Sequence, residues 1–178
     1  MLDGFVNAKE IDFTIKENKK KLEAAFAQVE SELGSTFPLI IGGERIETEK
    51  KIASLNPATK EVLGYTCSAD QALVTKAIET AQKAFESWSV TPVEERIRCM
   101  RKLAQLLIDN RFYIDAWNVL ESGKNWGEAD GELCEQLDFI NSYVYHMGNI
   151  DKGLELVPTD EYNKCVYIPI GVGAAISP

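Results

Sequence analysis

One uncharged stretch, Pro169-Ile170-Gly171-Val172-Gly173-Ala174-Ala175-Ile176-Ser177-Pro178, constrains the fold more than any other part of the chain. Its residues are small or β-branched, the pattern of a strand buried on both faces. Such a strand needs a hydrogen-bonded neighbour on each side and helices above and below it. No further strand follows within the 178 residues. The expectation is therefore an unfinished sheet, in which 171–177 is a buried strand and the chain is the N-terminal part of a larger α/β protein.

A chain of this length can build one ordinary core. Its 45% hydrophobic and 26% charged residues are those of a soluble globular protein. A net charge of -9 argues against nucleic acid as a partner, because phosphate binding needs a basic stripe. The one dense lysine cluster, Lys16, Lys19, Lys20 and Lys21, is interleaved with Glu17 and Glu23 and reads as a solvated helix face. No apolar run reaches the length of a membrane span, and Met1-Leu2-Asp3-Gly4-Phe5 lacks the start of a secretory signal. Cys67, Cys99, Cys134 and Cys165 match no zinc spacing. The expectation is a cytoplasmic protein with reduced, mostly buried thiols.

Helical periodicity is strong. Residues 12–33 read as a helix with Leu22, Ala25, Phe26, Val29 and Leu33 on one face and Gly34 as its stop. Gly42-Gly43 between two apolar pieces reads as a hairpin turn. Residues 51–55 and 61–67 read as strands joined by the turn Asn56-Pro57-Ala58-Thr59. Ser68-Ala69-Asp70-Gln71 reads as a capping box before a helix whose buried stripe is Val74, Ala77, Ile78, Ala81, Phe85 and Trp88. Thr91-Pro92-Val93-Glu94 opens the next helix with a cap, and Ile97, Met100, Leu103, Ala104 and Leu107 form its core face. A helix over 111–121, carrying Ile114, Trp117 and Leu120, ends at Gly123. Another follows over 127–150, with Leu133, Leu137, Ile140, Val144 and Met147 buried. Its acidic start, Glu128, Asp130, Glu132 and Glu135, suits the helix dipole. Residues 162–168 read as a strand.

Little of this carries chemistry. His146 has no acidic residue four positions away and reads as a packed or surface histidine. Gly171-Val172-Gly173 precedes its strand, and position 176 is Ile, so it is no dinucleotide fingerprint. From the residues alone the result is a mixed α/β chain without a catalytic group of its own.

The motifs in order resemble a family. Ser54-Leu55-Asn56-Pro57-Ala58-Thr59-Lys60-Glu61, the Ala-x-x-Ala-Phe-x-x-Trp ending of helix 77–88, Pro92-x-x-Glu95-Arg96, Glu121-Ser122-Gly123-Lys124 and the closing stretch 169–178 resemble the N-terminal part of the NAD(P)-dependent aldehyde dehydrogenases. The extra N-terminal helix and Gly123-Lys124-Asn125-Trp126-Gly127-Glu128 are similar to the 1-pyrroline-5-carboxylate (glutamate γ-semialdehyde) dehydrogenases within it. The resemblance implies the N-terminal part of that α/β fold: helices, a small antiparallel hairpin region and the first strand of a nucleotide-binding sheet. It divides the chain into a helical extension (1–36), part of the NAD-binding domain (37–158), an oligomerisation-type strand (159–170) and the truncated first strand (171–178). It implies an aldehyde substrate, NAD as hydride acceptor, a thiolate and a Glu-activated water as chemistry, and a homo-oligomer.

No cysteine here matches the family's nucleophile, so the resemblance implies that the catalytic Cys and Glu belong to the remainder of the parent chain. It places Ile176, Ser177 and Pro178 against the cofactor. It places a monovalent cation at Ser54, Leu55 and Glu121, where oxygen ligands suit a hard ion. The alternative is a non-catalytic partner subunit that pairs by its edge strands with a full-length dehydrogenase.

Overall fold

The computed structural model describes residues 6–155 and 161–176. The elements run α1 (Lys16–Glu32), β1 (Thr36–Phe37), β2 (Leu39–Ile41), β3 (Glu44–Ile46), β4 (Lys51–Leu55), β5 (Val62–Cys67), α2 (Gln71–Trp88), α3 (Val93–Asp109), α4 (Arg111–Ser122), α5 (Trp126–Ile150), β6 (Leu154–Glu155) and β7 (Lys164–Cys165). This is the mixed α/β class expected from the sequence. No helix among the described residues is long and apolar enough to cross a membrane.

Two helix-on-helix cores hold the molecule. In the first, Leu22, Ala25 and Val29 of α1 pack on Ala116 of α4, and Phe13, Phe26, Phe112, Trp117 and Trp126 close around them. The Phe13 and Trp126 rings meet edge to face at 5.8 Å. In the second, Ala104 of α3 packs on Leu137, Ile140 and Val144 of α5. Helix α4 lies between α1 and α5, and α5 lies between α4 and α3. The hairpin β2–β3 turns through Gly42 and Gly43 at φ 61° and 85°, the left-handed pair a two-residue turn requires. A separate sheet has the order β1-β5-β4, with β1 parallel and β4 antiparallel to β5.

Helix starts differ from the sequence expectation where a side chain is used elsewhere. Helix α1 begins at Lys16 and not at 12, because Asp12 Oδ1 accepts from Thr14 N and Oγ1 at 2.8 and 2.6 Å and closes a turn of its own. The expected capping box at 68–71 is replaced by Asp70 alone, whose Oδ1 accepts from Leu73 N at 2.8 Å. Thr91 does not cap α3; its hydroxyl donates back to Ser87 O, and Pro92 takes the cap position. The acidic start of α5 does form a capping box, between Asn125 and Glu128.

The larger corrections concern burial. No residue of α2 is buried; Val74, Ile78 and Trp88 are about half exposed, because α2 touches little beyond β2. Met100 and Leu103 of α3 are likewise exposed, since α5 covers only the Ala104 side of that helix. The expected strand at 162–168 shrinks to β7, which among the described residues pairs with β6 alone. The expected buried strand at 171–177 is not a strand over 171–176. No neighbour pairs with it among the described residues, and Ile170 and Ile176 are 100% and 93% exposed. A strand is made by its partners' hydrogen bonds, whatever its own side chains favour.

Leu22 has no exposed surface, and it packs at the junction of α1 and α4. Leu22→Ala should therefore destabilise the fold by about 3 kcal/mol, read as a lower denaturant midpoint at unchanged slope.

Candidate functional site

Two turns separated by about a third of the chain meet on one face. The first follows β4. The β4–β5 register shifts between Ser54 and Leu55, a local break in the ladder of the bulge type. Asn56 Oδ1 accepts from Ala58 N at 2.9 Å, Asn56 N donates to Glu61 O at 2.9 Å, and Lys60 takes a left-handed φ of 66°. The second turn ends α4. Gly123 is its cap at φ 71°, and its N–H donates to Val119 O at 3.0 Å.

The turns touch at two points. Ser54 Oγ donates to Glu121 Oε1 at 2.8 Å. A Cβ at Gly123 would lie 3.1 Å from Pro57 Cγ. The Gly-Lys half of the second turn is tied to α5, where Glu132 pairs with Lys124 and accepts from Asn118 Nδ2 at 2.9 Å. The structure thus brings Ser54 and Glu121 together, with Leu55 beside them at the bulge. A hydroxyl, a carboxylate and the carbonyls of a turn are the donor types a hard cation takes. Among the described residues no group of three His, Cys, Asp or Glu side chains is placed to hold a metal ion, so any cation here would lean on hydroxyl and backbone oxygen.

At the other end of α4 lies a polar cluster. Arg111 Nε and Nη2 donate to Asp130 Oδ1 and Oδ2 at 2.5 and 2.7 Å, and Nη2 also reaches Lys9 O and Cys134 Sγ, each at 3.0 Å. Ile11 N donates to Asp130 Oδ2 at 2.7 Å. Asp115 and Asp130 are both fully buried. Burial pushes the Asp115 carboxyl up to about 7; the negative Asp130 adds to this and Arg111 opposes it. Burial likewise pushes the Cys134 thiol up. This pairing went unread in the sequence, where Asp130 counted as a dipole residue. A signal existed: Asp130 precedes Leu133, Cys134 and Leu137 by three, four and seven positions, which puts it on the buried stripe of α5.

The remaining candidates are scattered. Ile176 points into solvent at the end of the described chain, while Ser177 and Pro178 lie outside the described residues. His146 is exposed and stacks edge-on against Tyr145 with ring centroids 5.4 Å apart. All four thiols are free. Only Cys67 and Cys134 are buried; Cys99 and Cys165 are exposed, which corrects the expectation of mostly buried cysteines. Cys99 lies on the side of α3 away from α5, and Cys165 sits exposed in the short strand β7.

Comparison with known proteins decides the family. The sequence profile described as "Aldehyde dehydrogenase family" matches residues 45–178. The chain belongs to the aldehyde dehydrogenase family. Among curated members it is 42% identical over 169 residues to 1-pyrroline-5-carboxylate dehydrogenase of Geobacillus kaustophilus, covering 94% of this chain and 33% of that one. It is 41% identical over 180 residues to 1-pyrroline-5-carboxylate dehydrogenase 1 of Halalkalibacterium halodurans, covering 100% of this chain and 35% of that one. Among solved structures it resembles the 1-pyrroline-5-carboxylate dehydrogenase from Thermus with bound NAD, with a TM-score of 0.88 and 34% identity over 94% of this chain and 33% of that one. This aldehyde dehydrogenase chain therefore spans about a third of the length of the relatives it matches. The mixed α/β architecture is that of the N-terminal part of the family's fold.

Gly123 joins the two turns under two constraints, a left-handed backbone and the 3.1 Å approach to Pro57. Gly123→Ala should destabilise the protein by about 1–2 kcal/mol, measured by thermal or denaturant unfolding. Gly173→Ala, at a position with open space, should cost far less.

Proposed function

We propose that this chain is the N-terminal portion of an NAD-dependent 1-pyrroline-5-carboxylate dehydrogenase, which oxidises L-glutamate γ-semialdehyde to glutamate in proline breakdown. The observation that carries this reading is the reach of the likeness. The family profile starts at residue 45, but the match to the Halalkalibacterium halodurans enzyme takes in the whole chain, α1 included. The helical extension is thus shared with enzymes that bear this name, beyond what the family at large requires.

The exposed apolar side of α2 and residues 166–176, which pair with no strand among the described residues, support the same reading, as surfaces that the rest of a larger fold covers. In this reading 1–36 is the helical extension, 37–158 belongs to the NAD-binding domain, 159–170 is an oligomerisation strand and 171–178 opens the nucleotide-binding sheet. The whole enzyme is a cytoplasmic homo-oligomer. Ile176, Ser177 and Pro178 lie along the cofactor; NAD, when bound, accepts the hydride that leaves the aldehyde carbon. The catalytic Cys and Glu come from the rest of the enzyme.

Full-length enzyme given 1-pyrroline-5-carboxylate and NAD should accumulate NADH, followed by its absorbance, whereas protein limited to these 178 residues should produce none. Full-length enzyme that turns over other aldehydes but not this one would remove the substrate assignment. Turnover by the 178-residue protein would remove the division of labour.

Ser54, Leu55 and Glu121 hold a monovalent cation in this proposal. The support is the 2.8 Å approach of Ser54 Oγ to Glu121 Oε1 beside the bulge. Replacing choline with sodium at constant ionic strength should raise the melting temperature of the full-length enzyme. Glu121→Gln keeps an oxygen acceptor for Ser54 but drops the charge, and should abolish that rise. An equal rise in both proteins would rule the site out.

A further inference from the structure

Asp115 has no exposed surface, and neither of its carboxylate oxygens meets a donor. A bare carboxylate so placed is costly, because nothing replaces the water it has lost. Its neighbour Asp130 is equally buried but fully provided for by Arg111 and the Ile11 amide. One guanidinium facing two carboxylates leaves one negative charge uncompensated. A single proton removes that charge and also supplies the missing donor, since a carboxylic O–H on Asp115 can donate to Asp130.

We infer that Asp115 and Asp130 share one proton, and that this acid–carboxylate–guanidinium cluster is a pH-sensitive clasp holding residues 7–11 against α4 and α5. The geometry ties the segment to the cluster directly. Lys9 O accepts from Arg111 Nη2 at 3.0 Å, and Ile11 N donates to Asp130 Oδ2 at 2.7 Å. About two turns further along α5, Asp138 accepts from Ala8 N at 2.6 Å and Asn7 Nδ2 at 2.7 Å. When Asp115 loses its proton, a second carboxylate competes for Arg111 and weakens its hold on Asp130 and Lys9.

The groups around the pair fit this assignment. Arg111 faces it from α4. Cys134 and Asp138 lie on α5, and Glu10 lies on the N-terminal segment, its Oε1 3.7 Å from where a Cβ on Gly131 would lie. From α1 the adjacent packing is apolar, through Leu22, Ala25 and Val29. The Asp115 carboxyl sits at about 7 in the folded chain against an ordinary 3.8. The folded chain therefore keeps a proton that the unfolded chain releases. The stability this group contributes is complete below its ordinary value, falls as pH rises from there to about 7 and is lost above it.

Asp115→Asn supplies a permanent N–H donor to Asp130 and tests the inference in the full-length protein. The ratio of unfolding constants, wild type over variant, should rise roughly tenfold per pH unit between about pH 5 and about pH 7 and then level off. Hydrogen exchange at the Ile11 amide, corrected for its intrinsic rate, should follow that curve in the wild type and be flat in Asp115→Asn. A ratio independent of pH, or an Ile11 step equal in both proteins, overturns the inference. If the variant does not fold, infrared titration of the wild type decides. The carbonyl stretch of a buried carboxylic acid should be present at about pH 6 and gone at about pH 8, and its absence at the lower pH overturns the inference.

Discussion

The contact between Arg111 and Asp130 ties together three pieces of chain that are remote in sequence: residues 9–11, the start of α4 and the first turns of α5. The guanidinium fork matches both carboxylate oxygens at once, so the pair fixes an orientation as well as a distance. A buried ion pair adds little net stability over an apolar replacement, but removing one partner costs on the order of 3–5 kcal/mol. Its role here is positional. With the start of α4 held, the direction of that helix is set, and Ala116 meets Leu22 and Val29 of α1.

The far end of the same helix carries the candidate site. A helix of twelve residues is about 18 Å long. It acts as a rigid spacer between the buried cluster and the surface turn where Glu121 meets Ser54. The Pro57–Gly123 contact and the ties of Lys124 and Asn118 to Glu132 lock that turn to α5 as well. The Ser54 and Glu121 side chains, on strand β4 and helix α4, are thus set by packing at both ends of α4, although the turns themselves are exposed.

Membership of the aldehyde dehydrogenase family accounts for features that would be odd in a self-contained domain. Helix α2 has a well-formed apolar stripe and no buried residue. Residues 166–176 form no helix or strand and carry large apolar side chains in solvent. The relatives are about three times as long as this chain. An apolar stripe records what a helix packs against in its complete fold, and periodicity alone cannot say whether the cover lies within a given stretch of chain.

Local patterns were legible because they act through neighbours in sequence. The Gly42-Gly43 hairpin, the extent of β4, the Gly123 stop and the Asn125–Glu128 cap follow from backbone preferences and short hydrogen bonds. The motif resemblance also brought Ser54 and Glu121 into view before any geometry did. Burial was less legible. Asp115 and Asp130 sit among apolar residues at helical spacing, and only their neighbours in space show that each is closed off from water. The sequence by itself determined the helices, the Gly42-Gly43 hairpin, the strands of 51–67, the Gly123 stop and the family resemblance. Tertiary structure alone decided which faces are covered, which carboxylates are buried and whether residues 171–176 become a strand, because desolvation and strand pairing depend on groups far away along the chain.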